Sequence, residues 1–301
     1  MASWPRNLPH PALIFVVVAW GLNFSIIKLV YHDFTPPAVA VLRILLMAPV
    51  LVAWCWFSGT PLKADRADVF KLWLAGAVSS GIYIILFMEG MKLSGAAQGA
   101  VMLATAPIFT GFFSILLKQD EFRWNLVWGS MIAFVGVGIV KYEELVTHPG
   151  SLMGGVLVLL SAIVWSVGVV MMKPLVARIP PLAAMTISIP GAIFVLIPYG
   201  IVAVWNTKWA AVTWVGWFSL IYLIVIAGAG AFVAYYKSLQ DIGPARTGMV
   251  QYVIPPMAAF GAWMILGSPV SLWQIVGLAV ALVGVYFGSR KAPAQPQLDS
   301  A

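Results

Sequence analysis

Charge is scarce in this chain: only 9% of its 301 residues are Asp, Glu, Lys or Arg. A soluble domain carries about 25%, so this sequence cannot cover a water-facing surface with polar groups. Cysteine is almost missing, and the single Cys55 excludes an intramolecular disulfide framework. The three histidines, His10, His32 and His148, lie near a chain end or in predicted loops. They form no HExxH or i,i+4 pair, so no metal site is expected. No CxxC, Walker A sequence or Gly-rich phosphate loop occurs, which excludes an ATP-driven pump within this chain. A membrane-embedded hydrolase would need paired mid-helix carboxylates, and these too are missing. The expectation is a protein that is not an enzyme and binds no cofactor. Lys and Arg are scattered rather than blocked, so the net charge of +7 does not point to nucleic acid. It suits basic loops facing an anionic cytoplasmic membrane surface.

What the chain has in abundance is apolar sequence. Hydrophobic residues make up 62%, and the mean hydropathy is +0.97. About 20 apolar residues at 1.5 Å rise cross the roughly 30 Å hydrocarbon core. Ten such spans are predicted, near 11–30, 36–58, 69–92, 95–118, 124–142, 150–173, 181–204, 213–238, 243–266 and 271–289. Residues 247 to 289 hold no charge and are too long for one helix; Gly267-Ser268-Pro269 is the expected break. Pro36-Pro37 and Pro180-Pro181 open the second and seventh helices, where a first-turn proline is tolerated. The first apolar run follows only Arg6 and leads straight into another span, unlike a cleavable signal peptide. With the N-terminus inside, cytoplasmic segments hold 12 Lys and Arg against 4 outside, placing both termini in the cytoplasm.

The two halves repeat weakly. At an offset of 148, residues 95 to 140 and 243 to 288 share 9 identities in 46 positions, Pro107/Pro255, Gly129/Gly277, Ala133/Ala281 and Gly136/Gly284 among them. Upstream the offset becomes 145, pairing Trp20 with Trp165 and Lys28 with Lys173. Five spans per half is an odd number, so the second copy enters the membrane from the opposite side. Inverted repeats with a site near the midplane characterise secondary transporters. The expected fold is therefore all-α, with ten transmembrane helices in two inverted five-helix repeats, 1–146 and 147–301, around a central cavity.

Trp20-Gly21-Leu22-Asn23-Phe24, then Lys28, Pro36-Pro37 and Arg43 followed by apolar residues, resembles the start of an EamA-type repeat of the drug/metabolite transporter superfamily. Each half also ends in a matching segment, Trp128 to Val140 and Val276 to Gly288. Length and aromatic content are most similar to bacterial YddG-type amino-acid exporters of the inner membrane. That resemblance implies ten helices around a cavity facing cytoplasm and periplasm in turn, and efflux of amino acids or related metabolites.

Polar groups at mid-depth are costly unless they meet a partner or a watery cavity. Asn23 fits either a substrate hydrogen bond or an interhelical one. Gln251 and Tyr252 stand before Pro255-Pro256, and a proline frees a carbonyl one turn earlier. Pro107 does the same beside Thr105. Tyr83 and Met102 are expected at the cavity wall, and Trp20 and Trp165 either there or in packing. Aromatic faces would take an ammonium group by cation–π attraction. Gly81, Gly228 and Gly230, with Pro107 and Pro255, are the hinge candidates, although small residues also serve close packing. Tyr235 and Tyr236 are expected in an interfacial belt, Arg43 in a structural pair, and Glu89 either paired with Lys92 or relaying protons. Such a midplane, polar but almost without charge, suits small zwitterions: neutral and aromatic amino acids, carried by a monomer embedded in the bilayer. A multidrug exporter or another metabolite carrier of the same superfamily, or a channel or structural membrane protein, are the alternatives.

Overall fold

The computed structural model describes residues 11–119, 124–147, 152–242, 247 and 250–289. Each long apolar run becomes a helix, because in hydrocarbon every backbone N–H and C=O must be satisfied within its own segment. In chain order these are α1 (Pro11–Val30), α2 (Pro36–Ser58), α3 (Arg66–Leu93), α4 (Ala96–Leu116) and α5 (Trp124–Thr147). They continue with α6 (Leu152–Val176), α7 (Pro181–Trp205), α8 (Trp214–Asp241), α9 (Val250–Leu266) and α10 (Leu272–Ser289). Seven are long and apolar enough to cross a membrane. The apolar stretches of the other three, Val127–Ile139, Val253–Leu266 and Leu272–Gly284, are shorter.

The outward faces carry Trp56, Phe194, Trp205 and Phe218, all strongly exposed, as a lipid-facing surface requires. Trp56, Trp205 and Trp214 stand at helix ends, where an indole sits at the headgroup level. Proline at the first turn starts α2 and α7 as expected, and Gly59 at φ 65° ends α2 in the left-handed region that a Cβ disfavours.

Two of the long helices, α3 and α8, are not α-helical throughout. Residues Ala77–Ile82 of α3 and Tyr222–Gly230 of α8 wind as π-helix. Both contain runs of small residues, Ser79-Ser80-Gly81 and Ala227-Gly228-Ala229-Gly230, and the two segments begin 145 residues apart. A π segment adds a residue to the turn and so rotates everything downstream of it. In α4 the helix is interrupted at Ala104–Thr105, with Pro107 in the first turn of the piece that follows. The Thr105 hydroxyl donates to the Met102 carbonyl at 2.7 Å, satisfying one group the break exposes.

Several contacts between the halves are exchanged by the same offsets that align the sequence. The Thr213 hydroxyl donates to the Asp33 carboxylate at 2.6 Å, and Arg178 pairs with Asp68 at 2.6 Å. A shift of 145 carries Asp33 onto Arg178 and Asp68 onto Thr213. In the seam between α5 and α10, Gly136 abuts Gly277 and Ala281, while Gly284 abuts Gly129 and Ala133. A shift of 148 interchanges these two contacts.

Candidate functional site

A narrow cavity of about 30 Å³ lies between α1, α2, α3, α4, α6, α8 and α9. Helical spacing places its walls. Trp20, Asn23 and Phe24 come from one stripe of α1, Tyr83 and Phe87 lie one turn apart on α3, and Gln251 and Ile254 share a face of α9. The π segment of α3 ends immediately before Tyr83, and that of α8 ends two residues before Phe232. Both rings are therefore aimed by the extra residue upstream of them.

Trp165 on α6 is the hub of an aromatic cluster. Its ring centroid lies 5.2 Å from Tyr83, 5.4 Å from Phe232, 5.9 Å from Trp20 and 6.1 Å from Tyr235. Edge-to-face and tilted contacts dominate, the arrangement that ring quadrupoles favour. Tyr83 in turn stacks on Phe87 at 5.5 Å. The polar groups stand among these rings. Trp20 Nε1 donates to the Ala227 carbonyl at 3.1 Å, and Arg43 Nη2 reaches the same carbonyl at 3.4 Å. That acceptor lies within the π segment of α8. The Tyr222 hydroxyl donates to the Ala19 carbonyl at 2.8 Å, tying α8 to α1. Gln251, buried on α9, stands at the same wall. Pro255 supplies no N–H to the Gln251 carbonyl one turn before it, so this position offers a backbone acceptor as well.

Trp20, Asn23, Tyr83, Trp165 and Gln251, five of the residues named from the sequence, thus line one cavity. Met102 is buried beside it, but its neighbour Leu103 forms the wall, one helical step of 100° away. The side chain of Tyr252 lies outside the described residues. Of the hinge candidates, Gly81 sits in the α3 π segment against Val195, Gly228 and Gly230 sit in that of α8, and Pro107 follows the α4 break. Pro255 stands inside α9, which continues through it.

Three expectations need correction. Tyr235 and Tyr236 are buried, at 5% and 0% exposure, rather than interfacial. The α8 π segment turns this stretch inward, where Tyr235 packs on Trp20 and Trp165. Arg43 lines the cavity and pairs with no carboxylate among the described residues, so the pocket holds one cation and is not charge-free. Glu89 lies outside the lining and accepts from the Tyr199 hydroxyl at 2.5 Å, not from Lys92. The Lys28 ammonium donates to the Met91 carbonyl in the last turn of α3, where a helix C-terminus attracts a cation.

Lipid-facing helices closed around a partly polar cavity define an integral membrane transporter. The profile of the EamA-like transporter family matches residues 9–142 and again 152–290. The chain belongs to that family, within the drug/metabolite transporter superfamily. It is 23% identical over 302 residues to the uncharacterized transporter YvbV of Bacillus subtilis, covering 98% of this chain and 96% of the relative. It is 24% identical to a probable terminal-alkyne amino-acid exporter of Streptantibioticus cattleyicolor, with 93% of each chain covered. A probable amino-acid metabolite efflux pump of Salmonella typhimurium is 22% identical, with 92% of this chain and 94% of the relative covered. One crystal structure superposes with a TM-score of 0.68 at 15% identity, covering 92% of this chain and 94% of that one, a likeness of fold.

Proposed function

We propose that this protein is a secondary transporter exporting neutral and aromatic amino acids, and related metabolites, from the bacterial cytoplasm by alternating access. In this reading ten helices cross the inner membrane as two inverted repeats, 1–146 and 147–301, with both termini cytoplasmic and one subunit enclosing the pathway. The observation that carries the substrate class is the cavity itself: Asn23, Gln251 and Arg43 set among Trp20, Tyr83 and Trp165. An organic cation would meet a guanidinium there and no counter-ion, so a multidrug cation exporter fits less well. Contacts exchanged by the 145 and 148 offsets support the repeat, and the excess of Lys and Arg in alternate loops supports the orientation. The exporter and efflux-pump names of two relatives agree with the substrate class.

Proteoliposomes loaded with unlabelled phenylalanine or methionine should accumulate the labelled amino acid by counterflow, which a channel does not sustain. Tyr83→Ala and Gln251→Ala should each lower the counterflow rate about tenfold, the loss expected for one well-packed ring or one buried hydrogen bond. Rates equal to wild type in both variants would show that this cavity is not the substrate site.

A further inference from the structure

Two buried polar atoms of the cavity have no hydrogen-bond partner among the described residues, and they are of opposite kinds. One is a donor, Nη1 of Arg43; the other is an acceptor, Oδ1 of Asn23. Their residues are 3% and 5% exposed. Among the described residues, the second terminal nitrogen of Arg43 is held by the Ala227 carbonyl alone at 3.4 Å, beyond the usual range for a hydrogen bond. Three described carboxylates are engaged elsewhere: Asp33 with Thr213, Glu89 with Tyr199 and Asp68 with Arg178. An arginine in the membrane interior without an anion is strongly disfavoured, and a ligand that brings one relieves the cost.

The geometry points to a zwitterion clamp, in which Arg43 takes a substrate carboxylate and the Asn23 oxygen accepts from its ammonium group. This assignment rests on the amino-acid transport reading and adds which substrate atom each residue holds. A guanidinium is suited to a carboxylate because its N–H groups match two oxygens at once. The ring faces of Trp20 and Trp165 stand beside the same space and add cation–π attraction for the ammonium. The remaining wall is mostly apolar, with Phe24, Phe87, Leu103, Phe232 and Ile254 beside Tyr83 and Gln251, and leaves the amino-acid side chain loosely specified. The site would thus select the zwitterionic head group strictly and the side chain loosely.

Analogues of phenylalanine that lack one charge test this directly. Counterflow of labelled phenylalanine by the wild-type chain is competed with phenylalanine, phenylalaninamide, phenethylamine or 3-phenylpropionate. Each analogue should need at least about tenfold more for half-inhibition, since a buried polar group left unpaired penalises the wrong ligand heavily. Arg43→Gln should bring phenylalaninamide and phenethylamine to within about threefold of phenylalanine while 3-phenylpropionate still lags. Asn23→Ala should do the reverse. Should Arg43→Gln fail to assemble, the wild-type series alone decides. Phenethylamine competing as well as phenylalanine would overturn the clamp. Thermal stabilisation of the detergent-solubilised wild type by the same four compounds reads binding without transport. Zwitterion-selective stabilisation with no counterflow would sink the transport reading and keep the clamp; counterflow without selectivity would do the opposite.

Discussion

Leucine at Gly136 or at Gly284 is expected to lower the melting temperature more than substitution at any exposed glycine, and by similar amounts at the two positions. A Cβ on Gly136 would lie 2.3 Å from the Ala281 amide nitrogen and 2.6 Å from the Gly277 carbonyl. On Gly284 it would lie 2.3 Å from the Ala133 nitrogen and 2.6 Å from the Gly129 carbonyl. These are backbone atoms, so no side chain can swing aside to make room. The helices α5 and α10 would have to separate, giving up dispersion contacts along the whole seam. Between helices in lipid, that packing is the main attraction, because acyl chains are as apolar as the side chains they would replace. Overpacking of this kind costs about 1–3 kcal/mol, a shift of about 2–5 °C for a chain of this size. Gly138 is the control: it is exposed, and a Cβ there would meet nothing within 4 Å. Size-exclusion profiles after stepwise heating would measure all three variants. The double variant should lose less than the sum of the two, since one separated seam relieves both clashes. Melting of Gly136→Leu together with Gly138→Leu would show that the helices do not approach so closely.

The same seam shows what a sequence of this kind reveals. Gly129, Ala133 and Gly136 recur as Gly277, Ala281 and Gly284 because each triplet supplies the small surface that the other needs. Hydropathy locates the helices for a comparable reason: backbone groups in hydrocarbon leave no alternative to a long apolar helix. Depth along a helix is also legible, and depth singles out Trp20, Asn23, Tyr83, Trp165 and Gln251. Rotation about the helix axis is not. Met102 and Leu103 have almost the same depth, yet Leu103 and not Met102 lines the cavity. The π segments are harder still. Ser79-Ser80-Gly81 and Gly228-Ala229-Gly230 permit an extra residue in the turn, but the neighbouring helices determine that it forms. Phe87 and Phe232 at the wall, and the burial of Tyr235 and Tyr236, follow from that winding. Arg43 went unassigned to the cavity because a cation two turns into a helix suggests a structural partner. Here its hydrogen bond among the described residues goes to a carbonyl of α8, and its other terminal nitrogen is buried without a described partner.

Trp165→Ala is expected to be the most damaging single change in the cavity, affecting fold and transport together. The indole contacts four rings drawn from three other helices: Trp20 of α1, Tyr83 of α3, and Phe232 and Tyr235 of α8. Removing it leaves a void where these elements converge, at a cost of about 3–5 kcal/mol for a buried tryptophan. Phenylalanine counterflow should fall by well over tenfold, since a loss of 1.4 kcal/mol in binding is already about tenfold. Two milder substitutions separate packing from recognition. Trp165→Phe keeps a ring within the cluster, so its melting temperature should stay within about 2–3 °C of wild type. Trp165→Leu keeps apolar volume but lacks a quadrupole. It should resemble Trp165→Phe in stability and bind amino acids several-fold more weakly, about 0.5–2 kcal/mol of lost ammonium–ring attraction. If Trp165→Leu instead matches Trp165→Phe in both stability and apparent affinity, the ring serves packing alone. The ammonium then depends on the Asn23 oxygen without help from the aromatic wall.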